Sequence, residues 1–287
     1  MKKYGLVMEG GGMRGAYTAG CLSWLLANNI EFDNVNAISA TAVFVVYFLA
    51  KDGPALRKLG IELMSDKRNI GVIPVLTEAQ MLGYRNMFKK LLRKKVVLDL
   101  EKLRHSKTLL QFGVYRKEDH QLIWVDNQMF DEELKYLWAS CVLPVGGRAV
   151  KINGQHYIDG GVLSMMPIFH AEELANDRFF CITTKHESYV RTPNGKILNF
   201  FLRLFYWRYP KMLGSLDERV DIYNREKSKV QELLETKKAL LMRPSKLFNV
   251  SRLSASKEDL SALFDLGYQD CEDRREEIFA FFELNNR

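Results

Sequence analysis

YGLVMEGGGMRG, residues 4–15, places a short apolar run directly before a loop of glycines. The apolar run has the length of a buried strand, and Ala16 to Ala27 has the apolar spacing of a helix. Val35 to Ile38 then predicts a second strand, and Ala40 to Leu49 a buried helix that begins directly after Ser39. The chain therefore opens as strand, glycine loop, helix, strand, serine and helix.

Alternating strands and helices of this kind predict an α/β fold. We expect a mostly parallel central sheet with helices on both faces, in three α/β/α layers, and ligands at the carboxyl ends of the strands. Near the end of the chain, Ser256 followed by Asp259 is typical of a capped helix start, and we expect that helix to end near Gly267. No repeat or linker-like run interrupts residues 1–287, so we expect a single domain.

Composition restricts the class of protein. The chain has 287 residues, 47% of them hydrophobic, which is enough for an enclosed core. Its longest apolar run, Ala40 to Ala50, is roughly half of the ~20 residues that a membrane-spanning helix needs. The apolar stretch after Met1 is too short for a signal peptide, and the four cysteines lack the spacing of a zinc site. We therefore expect a cytoplasmic protein with reduced thiols and no metal.

The net charge of +7 favours anionic partners, such as acidic lipid headgroups or nucleic acid. No zinc-finger spacing, RNA-binding aromatic motif or basic tail accompanies the charge, so we do not expect nucleic acid as a partner. Residues 84–97 and 200–209 mix basic with apolar side chains and are candidates for peripheral contact with an anionic membrane surface. The alternative for both is a helix packed on the core with its basic side chains in solvent.

The glycine loop is suited to stabilising negative charge. Its backbone N–H groups are uncovered and lie near the positive end of a helix dipole. The charge could be the oxyanion formed when an ester carbonyl is attacked. It could also be the pyrophosphate of a dinucleotide, because Gly10, Gly12 and Gly15 fit the dinucleotide fingerprint and Glu31 or Asp33 could bind the ribose. A tight turn without chemistry is the third interpretation.

Ser39 lies between a strand and a helix, as a serine nucleophile does in an elbow. An elbow brings the two backbones close together, so it needs small residues two positions before and two positions after the serine. Ala37 meets this need, whereas the β-branched Thr41 departs from the usual glycine. The ordinary role of a serine at this position is to cap the helix.

Asp159 follows a predicted hairpin, because Asn153–Gly154 between two extended runs is typical of a two-residue turn. An aspartate before Gly160 and Gly161 is usually only a turn residue. These glycines would nevertheless let the backbone approach another loop, as a base must do to reach a serine hydroxyl. His186 follows another predicted strand, so a triad of serine, aspartate and histidine is a further alternative.

Together, in this order, the three motifs resemble those of the patatin-like phospholipase family. That family combines a G-G-G-x-R-G loop, a G-x-S-x-G elbow and a D-G-G or D-G-A aspartate. Further similarity lies at 139–144, 243–246, 250–253 and 266–268, so the resemblance covers most of the chain. The matching motif residues are Gly10, Gly11, Gly12, Arg14 and Gly15 in the loop, Ser39 between the altered Ala37 and Thr41 in the elbow, and Asp159, Gly160 and Gly161 in the aspartate motif.

The resemblance implies a hydrolase of phospholipids or other acyl esters that works without metal or cofactor. Ser39 would attack the ester carbonyl, Asp159 would accept its proton, and water would hydrolyse the acyl-enzyme. The oxyanion would be held by the loop residues Gly10, Gly11, Gly12 and Met13 together with Ala40, while Arg14 would orient the loop or add positive potential.

Three alternatives remain open from the sequence. A degenerate relative would keep the fold, bind lipid and lose turnover, a possibility that Thr41 keeps open. A dinucleotide-binding oxidoreductase would use the glycine loop for pyrophosphate. An ordinary hydrolase would complete a triad with His186.

Overall fold

The computed structural model describes residues 2–130 and 133–284, which form a mixed eight-stranded sheet with helices on both faces. The strands are β1 (Tyr4–Met8), β2 (Asn34–Ile38), β3 (Leu109–Arg116), β4 (Gln121–Val125), β5 (Val150–Ile152), β6 (Gln155–Asp159), β7 (Arg178–Ile182) and β8 (Ala239–Met242). The α-helices are α1 (Gly15–Ala27), α2 (Ala40–Leu49), α3 (Gly53–Arg57), α4 (Val72–Glu78), α5 (Leu92–Lys94), α6 (Leu100–Arg104), α7 (Lys135–Cys141), α8 (Ile168–Glu173), α9 (Lys196–Tyr206), α10 (Pro210–Asp217), α11 (Arg219–Glu235), α12 (Lys257–Asp273) and α13 (Arg275–Phe281). Short 3-10 turns cover Gly12–Arg14 and Gly160–Val162, and π-helical turns cover Lys58–Leu63 and Asn86–Leu91.

The strand order β5-β6-β3-β2-β1-β7-β8 confirms the predicted α/β class. Strands β3, β2, β1, β7 and β8 are parallel, whereas β4 and β6 each pair with β3 in the antiparallel sense and β5 extends the sheet beyond β6. The Asn153–Gly154 turn joins β5 and β6 as predicted. The parallel strands therefore run from β3 to the β8 edge, and the antiparallel strands lie at the other end of the sheet.

Side chains that alternate along the strands cover the two faces of the sheet. Leu6 and Met8 of β1 belong to the large core beneath α1, α2, α7, α12 and α13. Val7 points to the other face and packs in a smaller core with side chains of α8 and α11. The three layers follow from this period of two, since successive side chains of a strand lie on opposite faces.

Strand register brings three distant parts of the chain to one place. Met8 pairs with Ala37, so the loops after β1 and β2 leave the sheet side by side. Ile38 pairs with Gly113 of β3, and the next residue of β3, Val114, pairs with Asp159 of β6. Because β4 occupies the other edge of β3, β2 and β6 follow one another along the same edge, so the residue after Ile38 and the end of β6 come next to each other.

The last long helix corrects one prediction. The Ser256 hydroxyl accepts a hydrogen bond from the Asp259 N–H at 2.9 Å, as the capping pattern predicts. However, α12 continues through Gly267 to Asp273. A Cβ at Gly267 would lie 2.2 Å from the Tyr17 carbonyl oxygen, so this glycine permits close packing of α12 on α1 rather than ending the helix.

Candidate active site

Ser39 occupies a strained turn between β2 and α2. Its φ of 64° and ψ of −138° lie outside the regions that side-chain-bearing residues ordinarily adopt. The Ser39 Oγ donates a hydrogen bond of 2.7 Å to the Asp159 Oδ2. Ser39 is 8% exposed and Asp159 is 3% exposed, so the pair is almost enclosed by protein. The turn thus has the geometry of a nucleophile elbow.

Thr41 fits this elbow despite its branched side chain. It is fully buried, and its hydroxyl donates to the Ile38 carbonyl oxygen at 2.8 Å. That bond satisfies a carbonyl at the end of β2, where the strained turn offers no helical partner. The fully buried Ala37 supplies the small side chain on the strand side of the turn. The two altered elbow positions are therefore compatible with the strained backbone.

Asp159 is held by its own turn. Its Oδ1 accepts a hydrogen bond from the Gly161 N–H at 2.7 Å, which leaves the Oδ2 for Ser39. A Cβ at Gly160 would lie 2.5 Å from the Gly113 carbonyl oxygen, so the turn packs tightly against β3. Burial raises the pKa of Asp159, although the Gly161 N–H, the Ser39 hydroxyl and the positive charge of Arg252 oppose the rise. This carboxylate consequently holds a proton more readily than one in water.

The glycine loop passes directly over the elbow. A Cβ at Gly10 would lie 2.9 Å from the Ile38 carbonyl oxygen and 3.0 Å from the Ser39 Cβ. Gly12 has a φ of +58°, and a Cβ there would lie 2.4 Å from the Arg252 carbonyl oxygen. Only glycine allows both the close approach and the left-handed backbone.

Hydrogen bonding narrows the predicted set of oxyanion donors. The Gly10 N–H donates to the Met165 carbonyl at 3.0 Å, and the Met13 N–H donates to the Arg252 carbonyl at 3.1 Å. Both N–H groups hold the loop in place, so neither is free, contrary to the prediction for these two residues. Gly12 and Ala40 begin helical turns and have no partner within them, and Gly11 directly precedes the first of these turns.

Two pockets meet at Ser39. The first, here called the apolar cavity, contains about 750 Å³ of space not filled by atoms, part of which is open to solvent. Its lining consists mainly of apolar side chains from the first half of the chain, with Ser39 and Ala40 at one end. Its residues include Met13, Val43, Phe44, Leu59, Leu63, Met64, Ile70, Leu82, Met87 and Leu143, with Arg252 and Leu253 at the rim.

The second pocket, here called the basic niche, is lined by cations and contains about 330 Å³ of space not filled by atoms, part of which is open to solvent. Arg14 projects into it, with its guanidinium 5.8 Å from the centre of the Tyr189 ring. The lining residues are Gly10, Arg14, Ile38, Ser39, Asp159, Gly161, Met165, Lys185, Arg191, Arg219 and Arg252.

Two buried glutamates support the glycine loop, and the sequence analysis did not identify either. Glu9, fully buried at the end of β1, pairs with Lys185 and accepts hydrogen bonds from the Thr183 hydroxyl and the Thr184 N–H. Its position directly before the glycines was the only signal in the sequence.

Glu226 of α11 supports the loop indirectly. Its carboxylate accepts hydrogen bonds from the Ser164 hydroxyl at 2.6 Å and from the N–H groups of Met165 and Met166. The Met165 carbonyl in turn accepts from Gly10. Burial raises the pKa of Glu226 to about 7. Because α11 lies far along the chain and carries no motif, no sequence signal connects it with the loop.

The structure does not assemble the sites that the two other enzyme hypotheses need. The His186 ring bonds to the Ser188 hydroxyl at 2.9 Å, and no histidine lines either described pocket at Ser39. Asp33 accepts from the Tyr4 N–H, and Glu31 pairs with Lys51. Asp33 therefore lies at the amino end of β1, the opposite edge of the sheet from the glycine loop.

Comparisons with known proteins agree with this geometry. Residues 6–172 match the family model for patatin-like phospholipase, and residues 209–283 match a second model, described as a domain of unknown function (DUF6363). Among solved structures, VipD from Legionella pneumophila has a similar fold, with a TM-score of 0.52 and 14% sequence identity over 96% of this chain and 67% of that one. No curated protein gives a significant sequence match.

Proposed function

Because the chain belongs to the patatin-like phospholipase family, we propose that it is a serine acyl hydrolase in which Ser39 is the nucleophile and Asp159 the general base. The hydrogen bond of 2.7 Å between the Ser39 Oγ and the Asp159 Oδ2 carries the proposal. It is the contact through which a base must take the proton of an attacking hydroxyl. Burial, which raises the pKa of Asp159, brings that carboxylate closer to the proton affinity that a general base needs.

The proposed reaction proceeds through an acyl-enzyme. Ser39 attacks the ester carbonyl while Asp159 takes its proton and then gives it to the departing alcohol. The N–H groups of Gly11, Gly12 and Ala40 stabilise the oxyanion. Water, activated by the same aspartate, then releases the fatty acid. The apolar cavity, which begins at Ser39, accommodates the acyl chain.

The first experiment compares hydrolysis of a p-nitrophenyl acyl ester by wild type, Ser39→Ala and Asp159→Asn, each checked for folding by circular dichroism. We expect both variants to lose about a thousandfold or more in kcat/KM, since each removes a group that acts directly on the reacting atoms. Ser23→Ala is a matched control, because the Ser23 hydroxyl donates to the Ala19 carbonyl within α1. His186→Ala should also retain activity, which distinguishes the dyad from a triad.

An activity that survives Ser39→Ala would contradict the proposal. A wild type that binds the ester but does not cleave it would instead identify the chain as a degenerate, lipid-binding member of the family. A dinucleotide-binding enzyme would show a higher thermal midpoint with NAD or NADP.

We also propose that α9 brings the protein to a lipid surface. Its residues Ile197, Phe200, Phe201, Leu204 and Phe205 recur at helical spacing, yet this apolar face is exposed to solvent, with Phe200 63% exposed. The buried Leu202 and Tyr206 attach the opposite face to the protein. An apolar helix face flanked by basic residues is suited to the interface of an anionic membrane.

The described residues limit this proposal in two ways. They contain no helix that combines the length and the apolar character needed to cross a membrane, so contact would be peripheral. In the other candidate stretch, 84–97, the side chains of Lys90, Leu91 and Arg93 lie outside the described residues. Tyr84, Phe88 and Leu92 of that stretch are buried, which favours a packed helix there.

Co-sedimentation with anionic vesicles tests the α9 surface. We expect Phe200→Asp to reduce vesicle binding about tenfold or more, because a charge replaces a buried aromatic ring at the interface. Phe169→Asp is the matched control, since Phe169 is 47% exposed but lies on α8. Equal losses in both variants would contradict the assignment.

A further inference from the structure

The basic niche contains far more positive charge than its own acids neutralise. Five cations line it beside Ser39, namely Arg14, Lys185, Arg191, Arg219 and Arg252. Among residues 2–130 and 133–284, only Lys185 of these five forms a salt bridge, with Glu9. The Nε atoms of Arg14, Arg191 and Arg219 are buried and have no hydrogen-bond partner. Buried donors without a protein partner are uncommon in folded proteins, and these three are available to a ligand or to water.

Electrostatic repulsion among these cations has a cost that an anion would remove. Burial, together with the charges of Arg252 and Arg191, lowers the pKa of Arg219 to about 9. Burial and the same neighbouring arginines also lower the pKa of Lys185. Two aromatic rings offset part of this cost, since Lys185 lies 4.9 Å from the centre of the Tyr189 ring and 4.4 Å from that of Tyr223.

The carboxylates around the niche are already engaged. Glu9 bonds to Lys185, Glu226 bonds to Ser164 and backbone N–H groups, and Asp159 bonds to Ser39. None of these three acids is available to a cationic ligand. A headgroup with an ammonium would therefore bring a positive charge among arginines without a carboxylate to receive it.

Resting on the proposed hydrolase function, we propose that the basic niche binds the phosphate of an anionic lipid substrate and selects such headgroups over zwitterionic ones. Ser39 and Arg252 line both the niche and the apolar cavity, so a single molecule can extend from one pocket into the other across the serine. The acyl chain occupies the cavity, the ester lies at Ser39, and the phosphate receives the unpartnered arginine donors. Arginine is well suited to this task because its planar fork matches phosphate oxygens.

This assignment also gives a role to the later part of the chain. Arg219 and Arg252 lie within 209–283, the segment that matches a family model of unknown function. The Arg252 carbonyl in addition holds the Met13 N–H of the glycine loop. The segment would thus supply headgroup recognition to a catalytic pair that comes from elsewhere in the chain.

Calorimetric titration tests the niche independently of catalysis. The probes are dodecyl phosphate, dodecylphosphocholine and inorganic phosphate, with the lipids below their micelle concentrations. We expect dodecyl phosphate to bind at least about tenfold more tightly than either other probe, because phosphocholine brings an ammonium among the arginines and inorganic phosphate has no chain for the apolar cavity. Arg191→Gln should weaken its binding about tenfold, whereas Arg225→Gln, which removes an exposed arginine of α11, should change it less than about twofold. Arg219→Gln provides a second reading if Arg191→Gln does not fold.

Two outcomes would overturn the assignment. Equal binding of dodecylphosphocholine would refute headgroup selection, and equal binding of inorganic phosphate would make the niche a site for free phosphate rather than for a lipid. A parallel kinetic measurement compares kcat/KM for an anionic lysophospholipid with that for a neutral p-nitrophenyl ester of the same chain length. In Arg191→Gln this ratio should fall about tenfold. If wild type cleaves neither ester, the hydrolase proposal fails, while the titration still decides whether the niche binds the phosphate.

Discussion

The two pockets at Ser39 differ in chemistry and in their origin along the chain. The apolar cavity is built almost entirely from residues 12–143, which include the glycine loop and α2. Most of the charge of the basic niche comes from Lys185, Arg191, Arg219 and Arg252, which belong to loops and helices of the second half. Ser39 therefore lies between the apolar cavity and the basic niche, which draw most of their residues from different halves of the chain.

Under the proposed function, this difference would let one elbow serve an amphipathic substrate. Burial of methylene groups contributes binding energy on one side, without regard to their orientation. On the other side, arginines contribute directional bonds that depend on the charge of the ligand. Specificity for chain length and specificity for headgroup should consequently be separable by mutation.

The largest expected effect concerns the buried pair of Glu9 and Lys185, which supports the basic niche. Lys185→Met should lower the free energy of unfolding by about 3–5 kcal/mol, because it leaves Glu9 buried without its partner. Urea unfolding followed by circular dichroism measures the loss. The double variant Glu9→Gln with Lys185→Met should recover most of it. Unchanged stability in Lys185→Met would show that the pair does not support the basic niche.

The pH dependence of kcat/KM should change when the basic niche is altered but not when the apolar cavity is altered. Asp159 accepts a proton only as a carboxylate, so kcat/KM for a neutral ester should fall about tenfold per pH unit below its raised pKa. The charge of Arg219 opposes that rise, so Arg219→Gln should move the acid limb to higher pH. Met87→Trp, a change in the apolar cavity, should leave the limb in place. A limb that moves equally in both variants would break the comparison.

The raised pKa of Asp159 should also make the free energy of unfolding depend on pH. A raised pKa in the folded state means that folding favours the protonated carboxyl, and this contribution is lost as the pH rises through that pKa. Asp159→Asn should therefore become more stable relative to wild type as the pH increases. Thermal unfolding across a pH series measures the difference, and a gap that is constant with pH would contradict the assigned shift.

The preference for acyl chain length should depend on the apolar cavity. Each added methylene that enters the cavity should raise kcat/KM about fourfold, from about 0.8 kcal/mol of burial. Met87→Trp, which fills part of the cavity, should reduce the preference for a long over a short p-nitrophenyl ester by roughly tenfold. Met81→Trp is the matched control, because Met81 is 45% exposed and lies outside the cavity. If both variants keep the wild-type preference, the acyl chain binds outside the apolar cavity.

The smallest expected effect is a difference in how salt changes kcat/KM for anionic and for neutral substrates. Raising the ionic strength from about 0.05 M to about 0.5 M should lower kcat/KM for an anionic lysophospholipid a few-fold, since screening weakens attraction to the partly exposed arginines. Hydrolysis of a neutral ester of equal chain length should change less than about twofold. Steady-state assays at fixed pH compare the two substrates. Equal changes for both would contradict a basic niche that selects substrates by charge.

Local sequence determined the units that carry Ser39 and Asp159. The glycines before α1, the serine between β2 and α2, and the Asn-Gly turn before Asp159 each have a short-range physical cause, and each element forms where the sequence predicts it. The three-layer α/β fold follows from the order of these units. The single-domain organisation and the catalytic roles of Ser39 and Asp159 stay predictions.

Only the tertiary structure decided which of these units meet and which donors remain free. Sheet register, which no local pattern encodes, places β2 and β6 one after the other along the same edge of β3 and so brings Asp159 to Ser39. Long-range packing uses the Gly10 and Met13 N–H groups to hold the loop and brings Arg219 and Arg252 beside the serine. Propensity and hydrophobic period act over a few residues, whereas pairing between strands and the convergence of charged side chains depend on contacts that are distant along the chain.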